Sequence, residues 1–484
     1  RLSHVILRHS ELTAASELAK ARPSHWDSGP VEERVRPAGD ALFDFEASSD
    51  DAHEDPLEEF KMQRRAIESA PDPARIGLLI AAESAGALVA AEIQFAGLPW
   101  RADLHGALLT SFLGPRPLPG QRPSVLNEVL HRVRAALEMP DLNPDSPAEL
   151  LRALASAGIM VTSTRSSDLK KVEHPAILPL LEYKKLARLL NANGWHWLDA
   201  NVRNGRFYPD YVPGGVVTGR WASKGGGGAL QLPKQVRSAV VADQGWKFVV
   251  ADASQLEPRI LAALSGDGRM AEAGRSKDMY AAIVDSGAVD TRAQAKVAML
   301  GAMYGATTGE SGRLMPTLTR AYPRAIALVE RAARAGERGE IVTTRLGRSS
   351  PRPNAQWRAA QDEAYGETAT DAEHRRARSQ ASSWGRFTRN FVVQGSAAEW
   401  ALCWMAILRQ KLHQLPGSRW LTDQPHLVLF MHDELVVHCP ASATASVELA
   451  VRDAAAEAGR LMFGGAPVEF PLTVAVVDNY GQAK

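Results

Sequence analysis

Lys247-Phe248-Val249-Val250-Ala251-Asp252-Ala253-Ser254-Gln255-Leu256-Glu257 reads as a buried apolar strand that ends on a carboxylate and turns into a helix. Ser254 followed three residues later by Glu257 matches a capping box, so helix capping is the plain structural reading of Glu257. Far downstream, Leu427-Val428-Leu429-Phe430-Met431-His432-Asp433-Glu434-Leu435-Val436-Val437 reads as a hairpin with two acids at or near its turn. Acids in hairpin turns are commonly structural. Two strands with acids at their tips say more. If the strands are neighbours, Asp252 and Asp433 face each other, and like charges that close repel. Paired divalent cations ~4 Å apart would resolve the conflict and are the machinery of in-line phosphoryl transfer.

Outward from these tips, the chain runs to 484 residues with 45% hydrophobic and 23% charged content, ordinary for a globular protein and long enough for several domains. The net charge of +1 gives no argument from bulk charge for a nucleic-acid partner; local patches must carry it. Arg203, Arg206, Arg220, Lys224, Lys234 and Arg237 form one cationic run suited to a duplex backbone. Cys403 and Cys439 lack metal-ligand spacing and suggest a reducing cytosol. The N-terminus carries no secretory signal and begins without Met, as a fragment would. The apolar stretch 76–98 is interrupted by Glu83 and Glu92 and reads as a partly buried helix, not a membrane span.

Residues 1–75 are the least regular part. Positions 40–59 hold nine acids and no Lys or Arg, which reads as a solvated loop. Segments 124–137, 147–157 and 177–191 have helical periodicity. Short strands are expected at 206–209 and 212–217, then a tetraglycine loop at 225–228. A helix is expected at 397–412, another near 446–463, and a strand at 472–477.

Arg292, Lys296, Leu300 and Tyr304 recur every four residues and share one helix face. Two cations stacked there repel unless the face meets phosphates; otherwise it is a solvated basic face. Gly301 and Gly305 suggest that something approaches closely. Arg386, Asn390 and Gln394 repeat at the same spacing, with small residues Gly395-Ser396-Ala397-Ala398 after them. Their amides suit minor-groove acceptors, although an amphipathic helix start accounts for the same letters.

In this order, the four segments resemble family A DNA polymerases, the class of bacterial DNA polymerase I. Asp252-Ala253-Ser254-Gln255-Leu256-Glu257-Pro258-Arg259 is similar to the first palm motif. Arg292-x3-Lys296-x3-Leu300-Gly301-x2-Tyr304-Gly305 is similar to the fingers helix, and His432-Asp433-Glu434-Leu435 to the second palm motif. Thr218-Gly219-Arg220, Leu230-Gln231-Leu232-Pro233 and Ala91-Glu92-x4-Gly97 extend the likeness over roughly 76–484.

The resemblance implies an α+β right-hand polymerase: an exonuclease-like remnant at 1–75, helical thumb and palm entry at 76–199, palm at 200–258 and 395–484, and fingers at 259–394. It implies two Mg²⁺ ions, with Mn²⁺ as a substitute, held by Asp252, Asp433 and the Ala253 carbonyl, with Glu434 tuning the site from beside it. Arg292 and Lys296 would bind the triphosphate, with Lys296 protonating the leaving group. Gln255, Tyr280, Leu300 and Tyr304 complete the nucleotide site, and Glu257 excludes a 2′-hydroxyl. Arg220, Asn390, Gln394, His432 and Arg386 would contact primer–template DNA. The implied protein is a cytoplasmic, nucleoid-associated bacterial monomer that uses deoxynucleoside triphosphates and no membrane.

The chain departs from the family pattern in places. Ala253 replaces a Tyr, Leu300 an aromatic residue against the sugar, Tyr280 a phosphate-binding His, and the tetraglycine an Asn-containing segment. Asp44-Phe45-Glu46 has the letters of a 3′–5′ exonuclease motif, but no apolar strand precedes it and no Tyr occurs before Tyr183. It reads as a chance match, so proofreading is not expected. The competing readings are a non-catalytic primer–template binding protein on a decayed polymerase scaffold and a single-subunit RNA polymerase, against which Glu257 speaks.

Overall fold

A computed structural model of the chain describes residues 1–27, 55–224, 230, 232–306, 309–366, 368–418 and 420–483. Asp44-Phe45-Glu46, the tetraglycine and Gln231 lie outside these residues.

Both carboxylate strands belong to one sheet. We label its strands β1 (Trp246–Ala253), β2 (His426–Met431), β3 (Glu434–Pro440) and β4 (Leu472–Val477). They are antiparallel in the order β2-β3-β1-β4. β1 is central and apolar on both faces, with Phe248, Val249, Val250 and Ala251 buried. The Thr444–Phe463 helix packs on the sheet. β2 is an edge, and its unpaired backbone is met by Tyr211, whose hydroxyl donates to the Phe430 carbonyl at 2.6 Å and accepts from the Phe430 N–H at 3.0 Å.

The α+β architecture is as expected. Helices Ser124–Ala136, Pro147–Ser156 and Ile177–Asn193 stand where the periodicity placed them. The downstream helix differs. It runs unbroken as Asp371–His413, so the expected boundary between 394 and 395 falls inside it and the expected start at 397 is mid-helix. Gly395 fits there because a side chain would collide with Thr344. The small residues after Gln394 form a tight packing face within this helix, close to the Thr218 backbone.

The described N-terminal residues form helices and no strand: Leu2–His9, Glu17–Lys20 and Pro56–Glu68, with a 3₁₀ turn at Glu11–Thr13. The acidic run is not loop throughout. Asp55 caps Pro56–Glu68, and Glu58 and Glu59 sit in its first turn, where the helix dipole favours negative charge. Glu59 also bonds the buried His4 ring at 2.8 Å.

Two helices, Pro73–Ala96 and Asp371–His413, are long and apolar enough to cross a membrane by length and composition. The more apolar window of the second is 78% buried inside the protein, the composition of a core helix. The first buries Glu83 completely against Arg348.

The far end of the sheet holds a neutral histidine pair. His426 and His438 face each other in register, and His438 stacks on Trp246 at 4.6 Å. Burial, then the charges of His426 and Arg206, push His438 from 6.5 down to about 3. The unfolded chain therefore takes up a proton at a pH where the folded chain does not. Stability is expected to fall as pH drops from 6.5, by about 3 kcal/mol down to pH 4 from His438 alone. Urea unfolding across that range checks this, and His438→Gln should flatten the slope.

Candidate active site

The two tips meet. Asp252 lies opposite Glu434 across β1 and β3, and opposite Thr473 on β4. The Ala253 N–H donates to the Asp433 carbonyl at 2.8 Å, closing the β2–β3 turn onto the end of β1. Both tips have left-handed backbone on non-glycine residues: Gln255 has φ 52° and His432 φ 62°. Such conformations cost free energy and persist where surroundings enforce them, often at functional sites.

The donors at this junction are Asp252, Asp433 and nearby backbone carbonyls, all hard oxygens. No cluster of three or more His, Cys, Asp or Glu able to hold a metal occurs among the described residues. Two carboxylates with the remaining positions left to backbone, water and substrate phosphates suit Mg²⁺, which rarely takes an all-protein cage. The residues therefore fit the implied metal.

Glu434 is placed differently from its two acidic neighbours. It is 1% exposed, accepts from the Tyr480 hydroxyl, and lies 3.7 Å from Arg237 Nη1. The expected capping box is also absent. Gln255 takes the cap position without a side-chain cap bond, and Ser254 Oγ lies 3.1 Å from Thr473 Oγ1. Glu257 is thereby released from capping. Its carboxylate accepts from Arg220 Nη2 at 2.5 Å and from the Tyr304 hydroxyl at 2.8 Å.

A cavity of about 320 Å³ opens beside the tips. Arg220, Gln255, Glu257, Tyr280, Leu300, His432 and Asp433 line it, with alanines of the long helix opposite. Burial, then the Glu257 charge, raises Tyr280 and Tyr304 to about 12 each, so both phenols stay protonated donors at neutral pH. Desolvation, then the Arg220 charge, lowers His432 below its ordinary value. The Gln255 side chain ties the cavity wall to the next helix, accepting from the Met279 N–H at 2.8 Å and donating to Asp278 at 3.2 Å.

The Arg292–Tyr304 helix shows the expected face. Ala295, Ala298, Met299, Ala302 and Met303 are buried, whereas Arg292, Lys296 and Tyr304 are exposed and Leu300 half-buried. Arg292 Nε pairs with Asp278 at 2.6 Å, and its guanidinium lies 5.5 Å from the Tyr280 ring centre. The glycines, however, do not open this helix to a ligand. A side chain at Gly301 would strike Ser311 of the following helix, and Gly305 (φ 73°) ends the helix against Arg386.

Gln394 accepts from Thr218 Oγ1 at 2.9 Å, near Gly219-Arg220. Asn390 Oδ1 is buried without a hydrogen-bond partner among the described residues. Arg386 folds back on its own helix, donating to Ser382 at 3.0 Å and Ser383 at 2.8 Å. Three of the six residues of the expected cationic run are paired with acids: Arg206 with Asp243, Arg220 with Glu257, and Arg237 with Glu434.

A different basic cleft, of about 830 Å³, lies between the Ile177–Asn193 helix and the segment before β1. Arg165, Lys184, Lys185 and Arg188 line it, with Gln235 and Met431 on the opposite wall. Sequence reading missed it, although Lys184 and Arg188 have the same four-residue spacing as Arg292 and Lys296. Arg259 was also missed. Its buried guanidinium donates to the carbonyls of Ser254 (2.8 Å), Gly274 (2.5 Å), Ser276 (2.8 Å) and Glu469 (3.1 Å), tying the first tip to the loop before Met279.

Residues 126–482 match the model of DNA polymerase family A. DNA polymerase I, thermostable, of Thermus thermophilus is 29% identical over 349 residues, 65% of this chain and 37% of its own length. DNA polymerase I of Chloroflexus aurantiacus is 28% identical over 344 residues, 64% of this chain and 33% of its own length. The chain thus spans about a third of the length of these relatives. Among solved structures, the POL domain of Pol1 from M. smegmatis, in complex with DNA primer-template and dNTP, superposes with a TM-score of 0.67 at 19% identity, over 88% of this chain and 74% of that one. That likeness is one of fold.

Proposed function

The chain belongs to DNA polymerase family A, and on that premise we propose that it is a template-directed DNA polymerase adding deoxynucleoside triphosphates to a primer 3′-hydroxyl. The observation that carries the reading is the closure of the Asp433 turn onto β1 through the Ala253–Asp433 bond of 2.8 Å. Asp252, Asp433 and the Ala253 carbonyl would hold two Mg²⁺, or Mn²⁺ in their place. When bound, the metals supply an acidified primer hydroxyl and neutralise charge on the departing pyrophosphate.

The chain's own residues do the rest. Arg292 and Lys296 project from one exposed helix face and grip the triphosphate. Arg292 shares itself with Asp278, so nucleotide binding loosens or extends that pair. Lys296 Nζ donates a proton to the pyrophosphate oxygen as it leaves. Tyr280, a protonated phenol, donates to a phosphate oxygen without adding charge. Gln255 acts on the nucleotide indirectly, through the Asp278 and Met279 contacts that seat the Arg292 partner. Leu300 forms the sugar-facing apolar wall, and Tyr304 stands next to the templating base. Glu257, held from two sides by Arg220 and Tyr304, blocks the place of a ribose 2′-hydroxyl.

Arg220, Asn390, Gln394, His432 and Arg386 face primer and template near the new pair. Arg165, Lys184, Lys185 and Arg188 bind duplex phosphates behind it. The protein works as a cytoplasmic, nucleoid-associated monomer of bacterial type, and residues 1–484 supply no proofreading activity of their own.

Primer extension with deoxy- and ribonucleotides tests this reading. The chain is expected to extend with deoxynucleotides, to require Mg²⁺, and to leave a 3′-mismatched primer undegraded. Glu257→Ala is expected to raise relative ribonucleotide use roughly tenfold to a hundredfold. Unchanged sugar selectivity would reduce Glu257 to its bonds with Arg220 and Tyr304.

A further inference from the structure

We infer that Tyr480 and Arg237 are positioning residues of the metal-binding tip: through the buried Glu434 carboxylate they fix the hairpin carrying Asp433 against the strand carrying Asp252. The inference rests on the nucleotidyl-transfer reading of that tip and deepens it.

Glu434 stands at the right point for this. It faces Asp252 across the strands and directly follows Asp433, whose carbonyl accepts from Ala253. Its carboxylate points into the protein, where Tyr480, itself 1% exposed, donates its hydroxyl to Oε1. Arg237 approaches the same oxygen at 3.7 Å, and its guanidinium lies 4.6 Å from the Tyr480 ring centre. A buried carboxylate with a phenol donor and a stacked guanidinium is directional as well as attractive.

Both donors are anchored. The Tyr480 N–H bonds the Val240 carbonyl at 3.0 Å, the Ala242 N–H bonds the Asp478 carbonyl at 2.9 Å, and the Asn479 amide bonds the Ser238 carbonyl at 2.5 Å. The segment 234–242 and the segment 478–480 thus form a clamp, and the Glu434 carboxylate is what it holds. The turn it steadies contains His432 at φ 62°, a conformation that surroundings must enforce. Glu434 is therefore an internal anchor for the neighbouring metal ligand.

The test is the Mg²⁺ dependence of primer extension, read with thermal melting and with primer–template binding in the absence of metal. Tyr480→Phe is expected to raise the half-saturating Mg²⁺ concentration roughly tenfold while DNA binding stays unchanged, since groups that orient a ligand tune metal affinity. Glu434→Gln removes the charge that Tyr480 and Arg237 hold, so its Mg²⁺ requirement is expected to rise as well, and the double variant should be no worse than the worse of the two single variants, because both break one contact. A Tyr480→Phe protein with wild-type Mg²⁺ dependence, whatever its melting temperature, overturns the inference. So does a double variant in which the two single effects on the Mg²⁺ requirement multiply, because Glu434 and Tyr480 would then act on the metal independently. If Tyr480→Phe does not fold, Arg237→Lys, which keeps the charge and loses the planar stack, should raise the Mg²⁺ requirement, and a wild-type value would overturn the inference. A wild-type chain without Mg²⁺-dependent extension would instead refute the underlying nucleotidyl-transfer reading.

Discussion

Asp252→Asn and Asp433→Asn are each expected to lower Mg²⁺-dependent primer extension by a thousandfold or more, about 4 kcal/mol of barrier, with primer–template affinity changed by no more than about twofold. Each substitution keeps the side chain's size and removes the charge that a divalent cation needs. The backbone contact between Ala253 and Asp433 does not depend on either carboxylate, so the sheet and its turn should persist. DNA affinity should persist too, because the cationic cleft formed by Lys184, Lys185 and Arg188 is a separate wall. Steady-state extension and a gel-shift titration at fixed salt separate the two effects. Normal extension by either variant would remove that residue from the metal set.

Arg348→Ala is expected to cost about 3–5 kcal/mol of folding stability, because it strands a buried carboxylate. Glu83 is fully buried and receives the Arg348 guanidinium, and burial holds its pKa above the ordinary carboxylate value despite that partner. The same pocket holds Glu399, raised to about 7 by burial, which accepts from Thr344 and from the Leu346 N–H at 2.9 Å. Without Arg348, Glu83 must either ionise unpaired or take up a proton. A carboxyl with a raised folded pKa gives stability that is lost as pH rises through that value. The defect should therefore deepen from pH 5 to pH 8 in urea unfolding. Replacing both partners, as in Glu83→Gln with Arg348→Met, should recover most of the loss, since it removes the charge along with its partner.

Arg348 also touches the site. A side chain at Gly219 would lie 2.7 Å from Arg348 Nε, so this guanidinium packs behind the Gly219-Arg220 turn that holds Glu257. The N-terminal helices brace the same loop: Ser10 Oγ donates to the Gly347 carbonyl at 3.0 Å, and the Glu11 N–H donates to Ser349 Oγ at 2.9 Å.

What could be read from sequence were features set by local pattern. β1 was legible because a central strand buried on both faces must be continuously apolar, so the first polar residue, Asp252, marks its tip. The Arg292–Tyr304 face was legible because a four-residue repeat survives on any helix. What escaped depends on contacts between distant residues. Ser254 and Glu257 have the letters of a capping box, yet Gln255 turns left-handed and Glu257 goes to Arg220 and Tyr304. Gly301 and Gly305 correctly signalled close approach, but the approaching atoms belong to Ser311 and Arg386. Nothing local tells Glu434 from Asp433; burial against Tyr480, 46 residues on, does. The long Asp371–His413 helix was cut short because its polar first half and apolar second half look like different elements.

The central claim is that Asp252 and Asp433 together hold a pair of divalent ions. Electron paramagnetic resonance of Mn²⁺ bound to the chain with primer–template and a non-extendable primer end plus nucleotide tests it most directly. The account predicts two manganese ions per chain, close enough for dipolar coupling, with the coupling lost in Asp433→Asn. A single uncoupled ion, or a coupled pair that survives Asp433→Asn unchanged, would contradict it.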